Sequence, residues 1–175
     1  MRVIGLAGWS GAGKTTLLTR VIPVLIAQGM RVSTIKHAHH SFDVDIPGKD
    51  SWKHREAGAS EVLVSSGRRF ALMHELRSEA ELTLPELLAR MSPVDLVIVE
   101  GFKRDRHPKI EVHRAQNGKP FLHVEDSAIV GLVTDAPAQT QLPQAHLDDI
   151  GAIAAMIEKL AVPLADVFDR ASTGN

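Results

Sequence analysis

The stretch Gly8-Trp9-Ser10-Gly11-Ala12-Gly13-Lys14-Thr15-Thr16 matches the pattern G-x-x-x-x-G-K-[ST] without a gap. Residues 2–7, directly before it, are apolar enough for a buried strand, and residues 17–22, directly after it, have apolar side chains at helical spacing. A strand, a glycine-rich turn and a helix are the parts of a phosphate cradle. The alternative to a phosphate-binding loop is a glycine-rich turn that matches the pattern by chance, but such turns rarely lie between a strand and a helix. The sequence therefore predicts a nucleotide-binding P-loop.

The residue types of this loop suit a polyphosphate and its metal ion. Glycines lack a Cβ atom, so the backbone can close around a phosphate and direct several N–H groups at it. The helix that starts in the loop adds the positive end of its dipole. We expect Lys14 to reach the β- and γ-phosphates as a catalytic residue and the Thr15 hydroxyl to bind Mg²⁺. The predicted nucleotide ligands in the loop are Gly11, Ala12, Gly13, Lys14, Thr15 and Thr16.

Composition narrows the class of protein. The chain has 175 residues, 44% of them hydrophobic and 23% charged, which are values of a globular domain. A formal net charge of -1 gives no general affinity for nucleic acid or anionic membranes. Cysteine is absent, which excludes disulfides and thiolate metal sites. No apolar run approaches the roughly 20 residues of a membrane span, and the loop interrupts the amino-terminal apolar stretch, so we expect a cytoplasmic protein.

The order of the predicted elements indicates a three-layer α/β fold of the P-loop NTPase type, with a mostly parallel central sheet. Strands are predicted at 2–7, 31–36, 61–65, 69–73, 95–100, 109–113 and 128–135, and helices at 14–28, 50–58, 84–91 and 151–160. Pro23 lies inside the first helix and should kink it. We expect residues 1–160 to form one nucleotide-binding domain and residues 161–175 a C-terminal tail.

Residues 37–51 form a polar segment with three histidines and two aspartates within nine residues: His37, His39, His40, Asp43 and Asp45. One interpretation is a transition-metal site, because imidazole and carboxylate suit zinc or nickel. A second is a loop that faces the nucleotide, in which Asp43 or Asp45 helps to hold Mg²⁺. A third is a solvated loop with neither role. Its place after a strand favours the nucleotide, since ligands of open α/β sheets bind beyond the carboxyl ends of strands.

Two further acidic residues follow predicted strands. Glu100 ends the apolar run 96–99 and is expected to face the Mg²⁺ site, directly or through a water, as a metal ligand and catalytic residue. Gly101 allows a sharp turn after it. Asp135 stands at the carboxyl end of the predicted strand 128–135 and is a candidate for accepting hydrogen bonds from a guanine base, although the usual Asn-Lys-x-Asp motif is absent. The basic cluster 103–107 suits either an anionic ligand or an exposed charged loop.

Together these motifs resemble the MobB family. The resemblance rests on residues 8–16, on Ile35-Lys36-His37-x-His39-His40, on Asp43-x-Asp45-x-Pro47-Gly48-Lys49-Asp50-Ser51, and on Val99-Glu100-Gly101-Phe102-Lys103. It extends in order over residues 3–160. It implies a GTP-binding adaptor of molybdopterin-guanine dinucleotide synthesis with Mg²⁺, weak GTP hydrolysis and a homodimer. It also implies association with the guanylyltransferase that makes the dinucleotide, and with the molybdopterin cofactor as a further partner.

Three functions are compatible with these residues. One is an adaptor GTPase that supplies or retains GTP for a partner enzyme. Another is a small-molecule kinase, which would need an acceptor site and a base for its hydroxyl. The last is a metallochaperone GTPase that uses the histidine segment. No water-positioning glutamine or arginine finger stands out in the sequence, which favours slow hydrolysis.

Overall fold

The computed structural model describes residues 1–38 and 42–172 of the chain. The chain divides into two compact units: Met1–His37 with Leu84–Asn175, called here the large unit, and Ala38–Thr83, called the small unit. Within the described residues, no helix has the length and apolar character that crossing a membrane requires.

The bounds of the elements are as follows. The strands are β1 (Arg2–Ala7), β2 (Val32–Lys36), β3 (Glu61–Ser65), β4 (Phe70–His74), β5 (Leu96–Glu100), β6 (Lys109–His113), β7 (Ile129–Thr134), β8 (Gln144–His146) and β9 (Val162–Pro163). The helices are α1 (Lys14–Ala27), α2 (Asp50–Glu56), α3 (Leu84–Arg90), α4 (Ile150–Leu160) and α5 (Leu164–Ser172), with a 3₁₀ turn at Ala115–Asn117.

In the described part of the large unit, seven strands form one sheet. The path runs β2-β5-β1-β6-β7-β8, and each neighbouring pair along it is parallel. β9 joins the first two residues of β1 in antiparallel orientation, whereas β6 pairs with β1 only from Gly5 onward. The predicted α/β fold with a mostly parallel central sheet is confirmed.

Helices cover both faces of this sheet because successive residues of a strand point to opposite faces. Ile4 and Leu6 face α1 and α4, while Val3 faces α3 and α5. The first face is packed with the buried helical residues Leu17, Leu18, Val21, Leu25, Ile153, Ala154, Met156 and Ile157, and the second with Leu84, Leu88 and Val167. Fully burying one such leucine stabilises the fold by about 1.5–3 kcal/mol. The core therefore holds β1 and α1 rigidly at the two ends of the loop between them.

Most predicted elements are present, with differences where patterns are short. α1 continues through Pro23 to Ala27. β8 and β9 were not predicted, since three and two residues are too few for a visible alternation. Residues 161–175, which the sequence analysis sets apart as a tail, contain β9 and α5. Val167 in α5 is 3% exposed, and the partly buried Leu164 and Phe168 flank it at helical spacing.

The small unit contains α2 and an antiparallel hairpin of β3 and β4, as predicted. The register pairs Leu63 with Leu72 and Ser65 with Phe70, so these four residues share one face of the hairpin. Leu63, Phe70 and Leu72 on that face are 61%, 72% and 53% exposed. One face of the hairpin is thus apolar and open within this unit.

Candidate nucleotide-binding site

The loop between β1 and α1 is held close to the neighbouring strand β6. Gly8 has φ +152°, and a Cβ atom at this position would lie 2.5 Å from the carbonyl oxygen of Val112. Gly11 and Gly13 also have left-handed φ angles, of +81° and +94°. Residues that carry a side chain rarely adopt these φ angles. The glycines of the motif therefore fit the geometry of a phosphate cradle, and α1 begins directly after Gly13.

The ammonium group of Lys14 is folded back over this loop. Its Nζ donates hydrogen bonds to the carbonyl oxygens of Gly8, at 2.8 Å, and of Trp9, at 3.1 Å. Burial lowers the pKa of Lys14, and the nearby charge of Glu100 acts in the opposite direction. The cation thus stands at the mouth of the loop, where it suits the outer phosphates of a nucleotide.

Glu100 lies at the carboxyl end of β5, next to the end of β1. The parallel register places it opposite Leu6, two residues before the P-loop. The pKa of Lys14 is lowered by burial, and the negative charge of Glu100 opposes this effect. Gly101 has φ +103°, and a Cβ atom there would lie 2.6 Å from the Cβ of His37. The structure thus brings Glu100 and Lys14 together at the tip of the sheet.

Thr15 and Thr16 occupy the first turn of α1 and are both exposed. At this position the Thr15 hydroxyl is free to meet a cation bound beside the phosphates, and hydroxyl and carboxylate oxygens are the ligands that Mg²⁺ prefers. Together with Glu100, this residue fits a magnesium ion. The metal roles of Thr15 and Glu100 stay predictions.

A segment after β6 covers the outer side of the P-loop. The amide Nδ2 of Asn117 donates to the carbonyl oxygen of Ser10 at 3.3 Å, and the indole Nε1 of Trp9 donates to the carbonyl oxygen of Pro120 at 2.8 Å. The Arg114 guanidinium nitrogen Nη2 lies 3.5 Å from the place of a Cβ atom at Gly13. We call residues 114–120 the cover segment. It places two polar side chains beside the loop that sequence reasoning did not identify.

Nothing local in the sequence marks Arg114 or Asn117 as part of the site. They lie 98 and 101 residues after Thr16, the end of the P-loop, and match no motif. The pairing of β6 with β1 brings them there, and that pairing is a property of the folded sheet.

Asp135 lies directly after β7, at the same edge of the sheet. Its Oδ1 accepts a hydrogen bond from the backbone N–H of Ala115 at 2.7 Å, and its Oδ2 lies 3.9 Å from Nη1 of Arg114. The carboxylate is therefore directed at the cover segment. Its predicted role in reading guanine stays a prediction.

The two aspartates of the polar segment belong to the small unit and are bound to Arg55. Oδ2 of Asp43 is 2.7 Å from the Arg55 Nη2, and Oδ2 of Asp45 is 3.3 Å from its Nε. Asp45 also accepts a hydrogen bond from the hydroxyl of Ser51 at 2.8 Å. The hydrogen bond from Arg55 is the main cause that lowers the pKa of Asp43. The predicted metal role of Asp43 and Asp45 stays a prediction.

The histidine segment is described only in part. His37 donates its backbone N–H to the carbonyl oxygen of Glu100 at 2.8 Å, and its ring centroid lies 4.7 Å from that of Phe102. His39 and His40 lie outside the described residues. Among residues 1–38 and 42–172, no group of three or more His, Asp or Glu side chains is placed to hold a metal ion.

The basic cluster 103–107 is partly structural. The carbonyl oxygens of Lys103 and Asp105 accept hydrogen bonds from the buried Lys109 at 2.9 and 2.8 Å, and His107 is 2% exposed. The Nζ of Lys103 lies 5.9 Å from the centroid of the Trp9 ring, within cation–π range. One cation of the cluster therefore stands beside the P-loop, while His107 belongs to the interior.

The parallel sheet, its two helical layers and the glycine-rich loop capped by a lysine define a P-loop NTPase-type α/β protein. Residues 3–135 match the family model described as MobB, molybdopterin guanine dinucleotide synthesis protein B. The chain belongs to the MobB family, which confirms the resemblance drawn from its motifs.

Known relatives agree with this assignment. The molybdopterin-guanine dinucleotide biosynthesis adapter protein of Escherichia coli K12 is 43% identical over 155 residues, covering 87% of this chain and 89% of that protein. The protein of the same description from Haemophilus influenzae is 40% identical over 156 residues, covering 89% and 87%. A crystal structure of molybdopterin-guanine biosynthesis protein B superposes with a TM-score of 0.73 at 28% identity, covering 90% of this chain and 99% of that one.

Proposed function

We propose that the chain is a GTP-binding adapter in molybdopterin-guanine dinucleotide biosynthesis, which holds GTP with Mg²⁺ and supplies or retains it for the guanylyltransferase that forms the dinucleotide. Its relatives from E. coli and H. influenzae carry the description of an adapter in this pathway. The observation that carries the nucleotide part is the Lys14 ammonium, bound to two carbonyl oxygens of a loop whose glycines leave room for a phosphate. A polyphosphate would replace those carbonyls as the partner of the cation.

Different residues would bind different parts of the nucleotide at such a site. The backbone N–H groups around Gly13 orient the inner phosphates, and Lys14 neutralises charge on the outer ones. The Thr15 hydroxyl and Glu100 would hold Mg²⁺, which would neutralise the charge that develops when the phosphoryl group is transferred to water. No water-positioning glutamine motif stands out in the sequence, which supports slow hydrolysis and a binding role.

The base of the nucleotide has a candidate site at the ends of β7 and β8. A cavity of about 340 Å³ opens there, lined by Thr134, Asp135, Ala136, Pro137, Gln144, Ala145 and His146. It lies beyond the carboxyl ends of parallel strands, where nucleotides of α/β proteins bind. The volume suffices for a purine base. A comparison of GTP and ATP affinity tests whether this site prefers guanine to adenine.

The homodimer is part of the same proposal. A two-stranded hairpin is marginally stable alone, and the face of β3 and β4 with Leu63, Phe70 and Leu72 leaves apolar side chains open within the small unit. A second copy of the chain would cover this face. Light scattering on Leu63→Ser/Leu72→Ser should show a monomer where the wild type is a dimer. Val124→Ser, which removes an apolar residue 77% exposed in the large unit, is the matched control.

Calorimetric titration with GTP and ATP, with and without Mg²⁺, tests the nucleotide proposal. We expect Lys14→Ala to weaken GTP binding by about 2–4 kcal/mol, the scale of a lost charge-assisted contact at a binding site. Thr15→Ala should mainly remove the Mg²⁺ dependence. Arg20→Ala is the matched control, because it removes an exposed cation of α1 that pairs with Asp148. Equal GTP affinity in Lys14→Ala and the wild type would refute the assignment of the P-loop.

The adapter role is tested separately by binding to the partner. Purified guanylyltransferase should bind the wild-type protein more tightly when GTP and Mg²⁺ are present, and Lys14→Ala should lose that increase while keeping the basal affinity. If the affinity for the guanylyltransferase is the same with and without GTP, the proposed delivery of nucleotide is contradicted, even if the protein binds GTP.

A further inference from the structure

The register of the sheet places Arg114 and Asp135 side by side at the edge where the P-loop lies. β6 and β7 are parallel, and His113 is paired with Thr134 at their ends. Arg114 directly follows the end of β6, and Asp135 directly follows the end of β7. The pairing of the two strand ends therefore fixes where both residues begin. The pair therefore belongs to the built part of the molecule.

The Asp135 carboxylate faces the cover segment with both oxygens. Oδ1 accepts the backbone N–H of Ala115 at 2.7 Å, which fixes the 3₁₀ turn that follows Arg114. Oδ2 lies 3.9 Å from Nη1 of Arg114, an ion-pair distance that is too long for a hydrogen bond. This carboxylate orients Arg114 without using up the donors of its guanidinium.

The guanidinium of Arg114 stands over the start of α1. Nη2 lies 3.5 Å and Nε 3.9 Å from the place of a Cβ atom at Gly13, and the Arg114 side chain is 39% exposed. To residues 1–38 and 42–172 the guanidinium makes no hydrogen bond in the structure. Its N–H groups are therefore available to an anion that binds where the backbone N–H groups of the loop also point.

We propose that Arg114 is a ligand of the inner phosphates of the bound nucleotide and that Asp135 is its positioning residue. The proposal rests on the nucleotide-binding function proposed above. The backbone N–H groups of a P-loop hold the α- and β-phosphates, while its lysine reaches further out. A planar guanidinium matches two phosphate oxygens at once and stays charged at any physiological pH. Because these phosphates are common to nucleoside diphosphates and triphosphates, Arg114 serves both.

Calorimetry with GDP and GTP distinguishes Arg114 from Lys14. We expect Arg114→Ala to weaken both nucleotides by the same factor, about tenfold to a hundredfold, the scale of a lost charged hydrogen bond. Arg114→Gln, which keeps a polar side chain without the charge, should lose nearly as much, and circular dichroism establishes that each variant is folded. Arg20→Ala again serves as the control cation. Unchanged GDP affinity in both Arg114 variants would overturn the proposal.

Asp135→Asn separates positioning from base reading. Xanthine has a carbonyl oxygen where guanine has its 2-amino group, so a base-reading carboxylate replaced by an amide should exchange guanosine for xanthosine diphosphate. A positioning residue should instead weaken GDP and ADP by equal factors with no gain for xanthosine diphosphate. In addition, Asp135→Asn should cost little further in the Arg114→Ala background. A gain for xanthosine diphosphate would overturn the assignment of Asp135.

The outcomes also separate this proposal from the function on which it rests. If the wild type binds GTP and GDP and the Arg114 variants bind them equally well, only the role of Arg114 fails. If the wild type binds neither nucleotide, the proposed function fails and the role of Arg114 falls with it.

Discussion

Replacing His107 with leucine should remove a loss of stability that the wild-type protein suffers in mild acid. The imidazole is 2% exposed and lies beside Gly5, where a Cβ atom would be only 2.4 Å from Nε2. Both ring nitrogens are buried without a hydrogen-bond partner among the described residues. The pKa of His107 falls from 6.5 to about 4, because burial and then the charge of Lys109 lower it more than Asp126 raises it. A protonated His107 would thus be poorly accommodated in the fold.

The sign and size of the effect follow from this pKa. As the pH falls below 6.5, His107 becomes protonated in the unfolded chain, whereas in the folded chain it stays neutral until about pH 4. The free energy of unfolding therefore decreases between these two pH values. At about 1.4 kcal/mol per pKa unit, the full effect amounts to about 3 kcal/mol, of which about 2 kcal/mol falls between pH 7 and pH 4.5. His107→Leu should be at least as stable as the wild type at pH 7, because it removes buried polar atoms that have no partner.

Urea unfolding at pH 7, 6, 5 and 4.5, followed by circular dichroism, measures this difference. Burial raises the pKa of Asp105, and the hydrogen bond with Glu61 is the main cause that raises that of His74. Both groups remain in the variant, so the wild-type minus variant difference reports on His107 alone. His146→Gln, which removes an exposed imidazole, is the control. A difference that stays constant from pH 7 to pH 4.5 would refute the reasoning.

Two further substitutions test local features of the fold. Asp149 accepts the N–H of Ala152 at 2.9 Å as the N-cap of α4, so Asp149→Ala should lower the free energy of unfolding by about 1 kcal/mol in urea titrations, whereas Asp149→Asn should retain most of it. Arg55→Met takes away the cation shared by three carboxylates of the small unit, so amide hydrogen exchange should become faster in β3 and β4 while β1 and β5 keep their protection; equal protection in both proteins would contradict this.

The P-loop and Glu100 could be predicted from sequence because each depends on a local pattern. The loop is a contiguous motif between a strand and a helix, and Glu100 ends an apolar run that the parallel register carries to the same edge. These patterns also sufficed for the three-layer fold. In contrast, Arg114 lies beside Gly13 only through the pairing of β6 with β1, a contact between residues about 100 positions apart. No local spacing encodes such a contact.

The strand β6 shows a second reason why the sequence was insufficient. Lys109, Glu111 and His113 alternate with Ile110 and Val112, a pattern typical of a strand with one face in solvent. All five residues are buried. Residues on both sides of β6 cover these polar side chains. Lys109 donates to the carbonyl oxygens of Lys103 and Asp105, while Glu111 and His113 contact the segment that follows the strand. Burial of a charged residue depends on partners that the fold supplies, and periodicity contains no information about them.

These buried polar residues bind the stretch 119–126, which begins at the end of the cover segment and continues beyond it. Glu111 accepts the backbone N–H groups of Leu122 and His123 at 2.7 and 3.0 Å, and the His113 ring nitrogen Nε2 lies 3.0 Å from the carbonyl oxygen of Lys119. Lys109 pairs with Asp126 at 2.9 Å. Every second residue of β6 therefore binds a different part of the stretch 119–126.

An apolar strand would hold such a segment less specifically. Burying a charged pair costs desolvation, and well-packed apolar residues often stabilise a core as much or more. Apolar contacts, however, tolerate a shift along the strand, whereas two N–H groups on one carboxylate fix the backbone of the segment in place. The cover segment, just before residues 122 and 123, accepts the Trp9 indole N–H at Pro120 and begins with Arg114. Through these contacts the polar face of β6 supports the end of the cover segment that binds Trp9 of the P-loop. We therefore expect a change at Glu111 to alter nucleotide affinity in calorimetric titrations, although Glu111 is not a proposed nucleotide ligand.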